Sequence, residues 1–335
     1  MRTAVLGATG LVGREFVALL QNHPWFEVEK LVASERSAGK KYGELVEGSP
    51  PEFAEMELTS LEEFLRDPDV ELVFSALPAS IAGRVEEKLA RRIPVFTNAR
   101  SHRYEGDVPI LVPEVNEKHL ALVEAQKRNR GWEGFIVANP NCSTAILALS
   151  LAPLREFGIR KIRVATMQAV SGAGASGLSA FAIQDNVIPL IEGEEWKIEN
   201  ESRKIFGEII DGKIEPAKFG ISAIAARVPV LHGHTEAVFV ELENPDITEI
   251  KKAFERFDPL RAYRLPSYEK PIAYSEVPQP RLHRDRGRGL TVTVGRVENA
   301  DSGIKYVALG HNLVRGAAGG SILNAELAYA LGVIH

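Results

Sequence analysis

The chain is 335 residues long, 45% hydrophobic and 25% charged, the composition of an ordinary folded protein of about two domains, which excludes long disorder. Its 40 basic and 45 acidic residues leave a formal charge of −5, so nothing draws it generally to nucleic acid or to an anionic membrane. The single cysteine, Cys142, excludes intramolecular disulfides and a cysteine-rich metal site and points to the reducing cytoplasm; no apolar run approaches the ~18 residues of a membrane span, and MRTAVLGATG has no secretory layout.

Residues 1–6 read as an apolar strand, GATGLVG (7–13) as a turn, 14–23 as a helix and 26–33 as a second strand. This unit predicts a parallel sheet built by right-handed crossovers. Strands at 70–76, 94–98 and 135–138, with a helix at 81–92, continue the rhythm and predict a doubly wound, Rossmann-type α/β domain. A helix is expected from Ser143 or Thr144 to about 157. Strands then follow at 160–170, 221–230, 236–243, 289–297 and 305–309, with helices at 194–210 and 246–257. Long strands with few crossovers predict a mixed sheet covered by helices. The stretch 276–288, EVPQPRLHRDRGR, reads as a loop whose four arginines form a solvated surface, and 317–331 as a closing apolar helix. The expected division is a cofactor domain at 1–139, a catalytic and dimerisation domain at 140–311, and a C-terminal helix at 312–335 that returns to the first.

Gly7, Gly10 and Gly13 lie between the first strand and the first helix. Glycines let the backbone turn tightly against a pyrophosphate, which the free N–H groups and positive dipole of a helix N-terminus then bind. The spacing G-x-x-G-x-x-G varies the usual dinucleotide fingerprint, and its place inside the strand–turn–helix–strand unit gives it weight. Thr9, Leu11 and Val12 fill the same turn and count with the glycines as candidate cofactor residues. After the second strand, Ser34, Arg36 and Ser37 suit a 2′-phosphate, with Lys40 nearby, which favours NADP; Glu35 would instead suit an NAD ribose.

NPNCST (139–144) joins an apolar strand to an apolar helix, so Cys142 lies at or near a helix N-terminus, where a thiolate is favoured. Beside a nicotinamide, a thiolate can attack a carbonyl and the adduct can pass hydride, leaving a thioester for phosphate, CoA or water to cleave. A proton acceptor would come from His23, His102, His119, His232, His234, His283, His311 or His335. His234 sits between two strands, but the spacing does not separate it from His232.

GATGLVG, SERSAGK, SALP, NARSHR, NPNCST, MQAVSGAGASG, EGEEWK, RVPVLHGHTE and HNLVRGAAGG occur in that order along essentially the whole chain. Together they resemble the aspartate-semialdehyde dehydrogenase family, in its archaeal and fungal-type branch. The resemblance implies Cys142 as nucleophile, His234 as acid/base, with His232 a bystander, and Gln168 as an assisting residue, with Asn141 among the substrate contacts. It implies Arg100 for phosphate, Arg227 for the substrate α-carboxylate, Glu194 for its ammonium and Lys197 for phosphate; an arginine fork suits both oxyanions. It places Ser75, Leu77, Ser171, Gly172, Gly174 and Asn312 against the cofactor. The expected substrates are aspartate semialdehyde and phosphate, and the expected assembly is a homodimer or homotetramer in lysine, methionine, threonine and isoleucine biosynthesis. Malonyl-CoA reductase of the same branch and N-acetyl-glutamyl-phosphate reductase are the rival enzymes, and an NADP-binding redox sensor is the rival from another class. A malonyl-CoA enzyme has no substrate ammonium, so Glu194 is expected to lack a partner there.

Overall fold

The computed structural model describes residues 1–174 and 177–335; Ala175 and Ser176, within the MQAVSGAGASG stretch, lie outside the described residues. Strands β1 (Arg2–Leu6), β2 (Glu27–Ala33), β3 (Leu58–Ser60), β4 (Leu72–Ser75), β5 (Val95–Thr97) and β6 (Ile136–Ala138) form one sheet in the order β3-β2-β1-β4-β5-β6, parallel throughout. β4, β5 and β6 are buried throughout, as in a sheet covered on both faces, whereas β2 starts with charged, partly exposed residues and is buried only toward its end. Strand order reverses at β1/β4, which opens a crevice at the strands' carboxyl ends. The glycine turn after β1 and the turn after β4 both meet there.

The first helix, Leu11–Leu19, starts three residues before the expected 14, so Gly13 lies in its first turn. A Cβ at Gly13 would sit 2.1 Å from the Gly7 carbonyl oxygen, and one at Gly7 (φ 75°) would sit 2.7 Å from the Ala76 carbonyl oxygen. Only glycine permits this packing of turn, helix and neighbouring turn.

The second sheet holds β7 (Ile159–Gln168), β10 (Gly220–Arg227), β11 (His234–Leu242), β12 (Ile272–Tyr274), β13 (Val292–Ala300) and β14 (Gly303–Gly310), in the order β10-β7-β11-β14-β13-β12. Only the β10/β7 and β12/β13 pairs are parallel, so the sheet is mixed. β8 (Glu208–Ile210) and β9 (Lys213–Glu215) form a separate hairpin. On β7, Ile162, Val164, Thr166 and Gln168 turn inward. Met167 turns outward and joins Ile224 and Phe239 on an exposed apolar face. The closing helix, Ala318–Ala330, packs Ile322, Leu323 and Leu327 into the core of the first sheet with Phe16 and Phe74.

Several elements end differently from expectation, each for a local reason. The helix expected over 194–210 is Glu194–Ile205: a Cβ at Gly207 would lie 2.4 Å from the Glu215 carbonyl oxygen, so the chain turns there into the hairpin. The helix after Cys142 is α-helical over Cys142–Leu151 and tightens to a 3-10 turn over Ala152–Phe157, where Pro153 has no N–H to give. β10 stops at Arg227 before Pro229. The expected loop 276–288 holds a short helix, Pro280–His283, and a 3-10 turn, Arg286–Gly289. β3, β12 and the hairpin are three-residue strands, too short to show a period.

Candidate active site

Cys142 is the first residue of its helix. Asn141 caps it, its Oδ1 accepting the Ser143 and Thr144 backbone N–H groups at 3.0 and 3.3 Å, a cap worth about 1 kcal/mol. The sulfur therefore sits at the positive end of a helix dipole. It lies at the floor of a cleft of about 430 Å³ that reaches the glycine turn. Gly10, Leu11, Val12, Leu77, Asn141, Cys142, Ser171, Gly172, Gly174 and Asn312 all line this cleft, so sequence-distant residues converge on it.

His234 begins β11, and its Nε2 lies 3.1 Å from Cys142 Sγ. Its Nδ1 accepts the Ala169 backbone N–H at 3.0 Å. That bond fixes the tautomer: the neutral ring carries its proton on Nε2, facing the sulfur. Burial, reinforced by the Arg227 charge and only partly opposed by Glu194, pulls the imidazole down to about 3, so it stays neutral. A Cβ at Gly172 would lie 2.6 Å from Arg227 Nη1 and 3.3 Å from the His234 ring, so the SGAG turn presses its backbone onto both side chains.

Glu194 starts its helix and is buried. Its Oε1 accepts from Asn141 Nδ2 (2.8 Å) and Gln168 Nε2 (3.1 Å), and its Oε2 pairs with Lys197 Nζ at 3.0 Å. Burial raises this carboxyl, but Lys197, Asn141 and Gln168 outweigh it and hold it below its ordinary value. The expectation that Glu194 needs a substrate ammonium to avoid being unpaired is therefore corrected: Lys197, one turn along, already supplies a charge. Arg227 ends β10 and donates Nη1 to the Ala169 carbonyl at 2.8 Å. Enclosure pushes the Cys142 thiol up to about 12 and Glu194 adds to the rise, while the Ser143 N–H, Arg103 and Arg227 oppose it.

Two assignments are corrected. Arg100 is exposed and lines a separate outer pocket with Lys197, Tyr104 and Trp196; the arginine of NARSHR that lines the Cys142 cleft is Arg103, three residues on and buried. Ser75 is fully buried and donates its hydroxyl to Glu86 at 2.6 Å, so it braces the turn after β4 from behind instead of facing a cofactor. Thr97 donates to the same Glu86 oxygen at 2.6 Å.

Ser34, Arg36 and Ser37 form a tight turn after β2, with the Ser37 N–H on the Ser34 carbonyl at 2.8 Å; Ser34, Arg36 and Lys40 are exposed. Asn312 lines the cleft, but its amide is occupied: Oδ1 accepts the Gly233 N–H at 2.9 Å and Nδ2 donates to Ser171 Oγ at 2.9 Å. His232 holds the same hydroxyl through Nδ1 at 3.0 Å and stacks on His311. It braces the Ser171 loop. Sequence reasoning missed Arg103, Glu201 and Glu236. Glu236, two residues along β11 from His234, is fully buried, with neither oxygen paired among the described residues; burial pushes its carboxyl well above the ordinary range.

The family model described as "Semialdehyde dehydrogenase, NAD binding domain" matches residues 2–123, and "Semialdehyde dehydrogenase, dimerisation domain" matches residues 151–315. An aspartate-semialdehyde dehydrogenase of Archaeoglobus fulgidus is 51% identical, with 96% of each chain covered. A malonyl CoA reductase (NADP) of Metallosphaera sedula is 37% identical, over 100% of this chain and 98% of that one. The crystal structure of Candida albicans aspartate semialdehyde dehydrogenase with NADP superposes with a TM-score of 0.89 at 37% identity, covering 99% of both chains. No helix among the described residues is long and apolar enough to cross a membrane.

Proposed function

The chain belongs to the semialdehyde dehydrogenase family, and from that premise we propose that it interconverts 4-phospho-L-aspartate and L-aspartate 4-semialdehyde plus phosphate, with NADP(H), through a thioester on Cys142. The observation that carries this reading is the contact between Cys142 Sγ and His234 Nε2, in a cleft that also reaches the glycine turn. The glycine turn and the Ser171–Gly172 loop would hold the cofactor, with Ser34, Arg36 and Ser37 at its 2′-phosphate. NADPH supplies the hydride when bound.

In the reductive direction Cys142 Sγ attacks the acyl carbon while its proton passes to the departing phosphate, which leaves as hydrogen phosphate. Hydride addition to the thioester carbon gives an oxyanion, whose collapse expels the thiolate and releases the aldehyde. No step consumes a proton from His234. Its Nε2–H instead donates to sulfur and to the developing oxyanion, a role its locked tautomer permits in both directions. Arg227 pairs with the substrate α-carboxylate and Glu194 with the ammonium. A substrate ammonium against Glu194 cancels the charge that disfavours the thiolate, so substrate binding activates the nucleophile. Glu194→Gln should accordingly lower kcat/KM for the semialdehyde yet speed alkylation of Cys142 by iodoacetamide in the free enzyme. Removing a nearby anion lowers a thiol's pKa, and an alkylation rate against pH that is unchanged or slower in the variant would refute the coupling.

Arg103 takes the phosphate role at the Cys142 cleft, with Lys197 and Arg100 at the outer pocket. Arg103→Ala should raise KM for phosphate by at least about tenfold, the worth of a charge-assisted hydrogen bond, and Arg100→Ala by much less. The reverse ranking would restore Arg100. The ammonium contact at Glu194 favours the amino-acid substrate over malonyl-CoA, which shares the carboxylate but has no amine. Assays with the semialdehyde and with malonyl-CoA, each with NADP(H) and NAD(H), test this choice; malonyl-CoA reduction at a matching rate would overturn it. The exposed face carrying Met167, Ile224 and Phe239, within the dimerisation-domain match, is the surface we assign to a second copy in a cytoplasmic homodimer or homotetramer.

A further inference from the structure

Glu201 lies seven residues after Glu194 on the helix Glu194–Ile205, on the same side and fully buried. Its carboxylate gathers donors from two other segments. Oε2 accepts the Asn141 backbone N–H at 2.6 Å; Oε1 accepts from Arg103 Nη1 at 3.0 Å and from the Tyr104 hydroxyl at 3.0 Å. Asn141 caps the helix that starts at Cys142, and Arg103 is the buried arginine of the cleft. One carboxylate thus ties the turn carrying the nucleophile to the guanidinium nearest it in the loop after β5.

The tie is reinforced on the main chain. Lys204, one turn beyond Glu201, donates Nζ to the Arg103 carbonyl at 2.7 Å and to the Glu105 carbonyl at 2.6 Å. Arg103 Nη2 is fixed on the Asn98 carbonyl at 2.8 Å, while its Nε is buried without a partner among the described residues. An arginine held at both terminal nitrogens keeps a single orientation and leaves a donor unspent. A buried ion pair contributes little net stability against an apolar substitute, so stability alone gives no reason for this one.

We propose that Glu201 is a positioning residue, which fixes the distance between the Arg103 guanidinium and the Cys142 sulfur by holding Arg103 and the Asn141 peptide on one carboxylate. It acts through Arg103, so the proposal rests on Arg103 serving the phosphate. Glu201→Gln keeps the shape but turns an NH2 toward one of the donors, so at least one tie is lost. KM for phosphate should rise by about tenfold or more, with KM for the semialdehyde within about threefold of wild type. Glu201→Asp should restore part of the loss. In the Arg103→Ala background, Glu201→Gln should add little further to KM for phosphate, because the two act as a unit. Should Glu201→Gln fail to accumulate as folded, NADP-binding protein, Tyr104→Phe removes a single donor, and a smaller rise in the same constant is expected. Equal effects on both KM values, or a lowered Tm with both unchanged, would reduce Glu201 to a packing role and overturn the proposal. If Arg103→Ala itself leaves KM for phosphate unchanged, the assignment of Arg103 fails instead, an outcome separable because it is read on a different variant.

Discussion

Cys142→Ala should lower turnover by at least about 10⁴-fold while NADP still binds, because the proposed mechanism runs through a covalent bond that only this side chain can make. Cys142 Cβ lies under the Gly316 backbone, where a Cβ on residue 316 would approach it to 2.6 Å, so the shorter alanine is accommodated without rearrangement. Cys142→Ser fares little better, because a hydroxyl among the same neighbours is a far weaker nucleophile than a thiol. Steady-state rates with fluorescence titration of NADPH separate lost chemistry from lost binding. Activity above a few per cent in Cys142→Ala would remove the nucleophile from the account.

The second large effect is at His234, and it distinguishes a donor from a base. His234→Ala should lower kcat by about 10²–10³-fold, the worth of one preorganised donor at a developing oxyanion. His234→Gln, which returns an N–H donor but no titratable group, should recover a substantial part of that loss. A proton-accepting histidine would predict no recovery. The pH profile separates the two as well. Burial holds the His234 ring at about 3, so no loss of kcat/KM between pH 5 and 8 should trace to its protonation. Below that range the ring would gain a proton at Nδ1 and lose the Ala169 bond. A limb near pH 6.5 that disappears in His234→Gln would show that the ring does titrate.

Much of this was legible in the sequence, for identifiable reasons. The glycine turn and the strand-to-helix junction at NPNCST are local devices whose residue types follow from backbone geometry, so Gly7, Gly13 and Cys142 could be read in place, whereas Asn141 came only from resemblance, as a substrate contact and not as the helix cap it is. The choice of His234 over His232 came only from resemblance, because both sit in the same six residues; the fold separates them by aiming one at sulfur and the other at Ser171. Arg100 and Arg103 could not be ranked, since the irregular turn of NARSHR has no period to say which side chain faces inward. Glu201 and Glu236 carry no sequence signal: a glutamate in a helix or strand reads as solvated, and only tertiary packing buries these. Ser75 misled for the converse reason, as a small hydroxyl at a strand end that points back to Glu86.

In the proposed mechanism an aspartyl thioester forms on Cys142 and phosphate releases it. Enzyme mixed with L-aspartate 4-semialdehyde and NADP, without phosphate, is followed by stopped-flow absorbance of NADPH and by intact mass of the quenched protein. A burst of one NADPH per active site, an aspartyl adduct on Cys142, and steady turnover only when phosphate is added are expected. Sustained NADPH formation without phosphate, or a burst that leaves Cys142 unmodified, would contradict that mechanism.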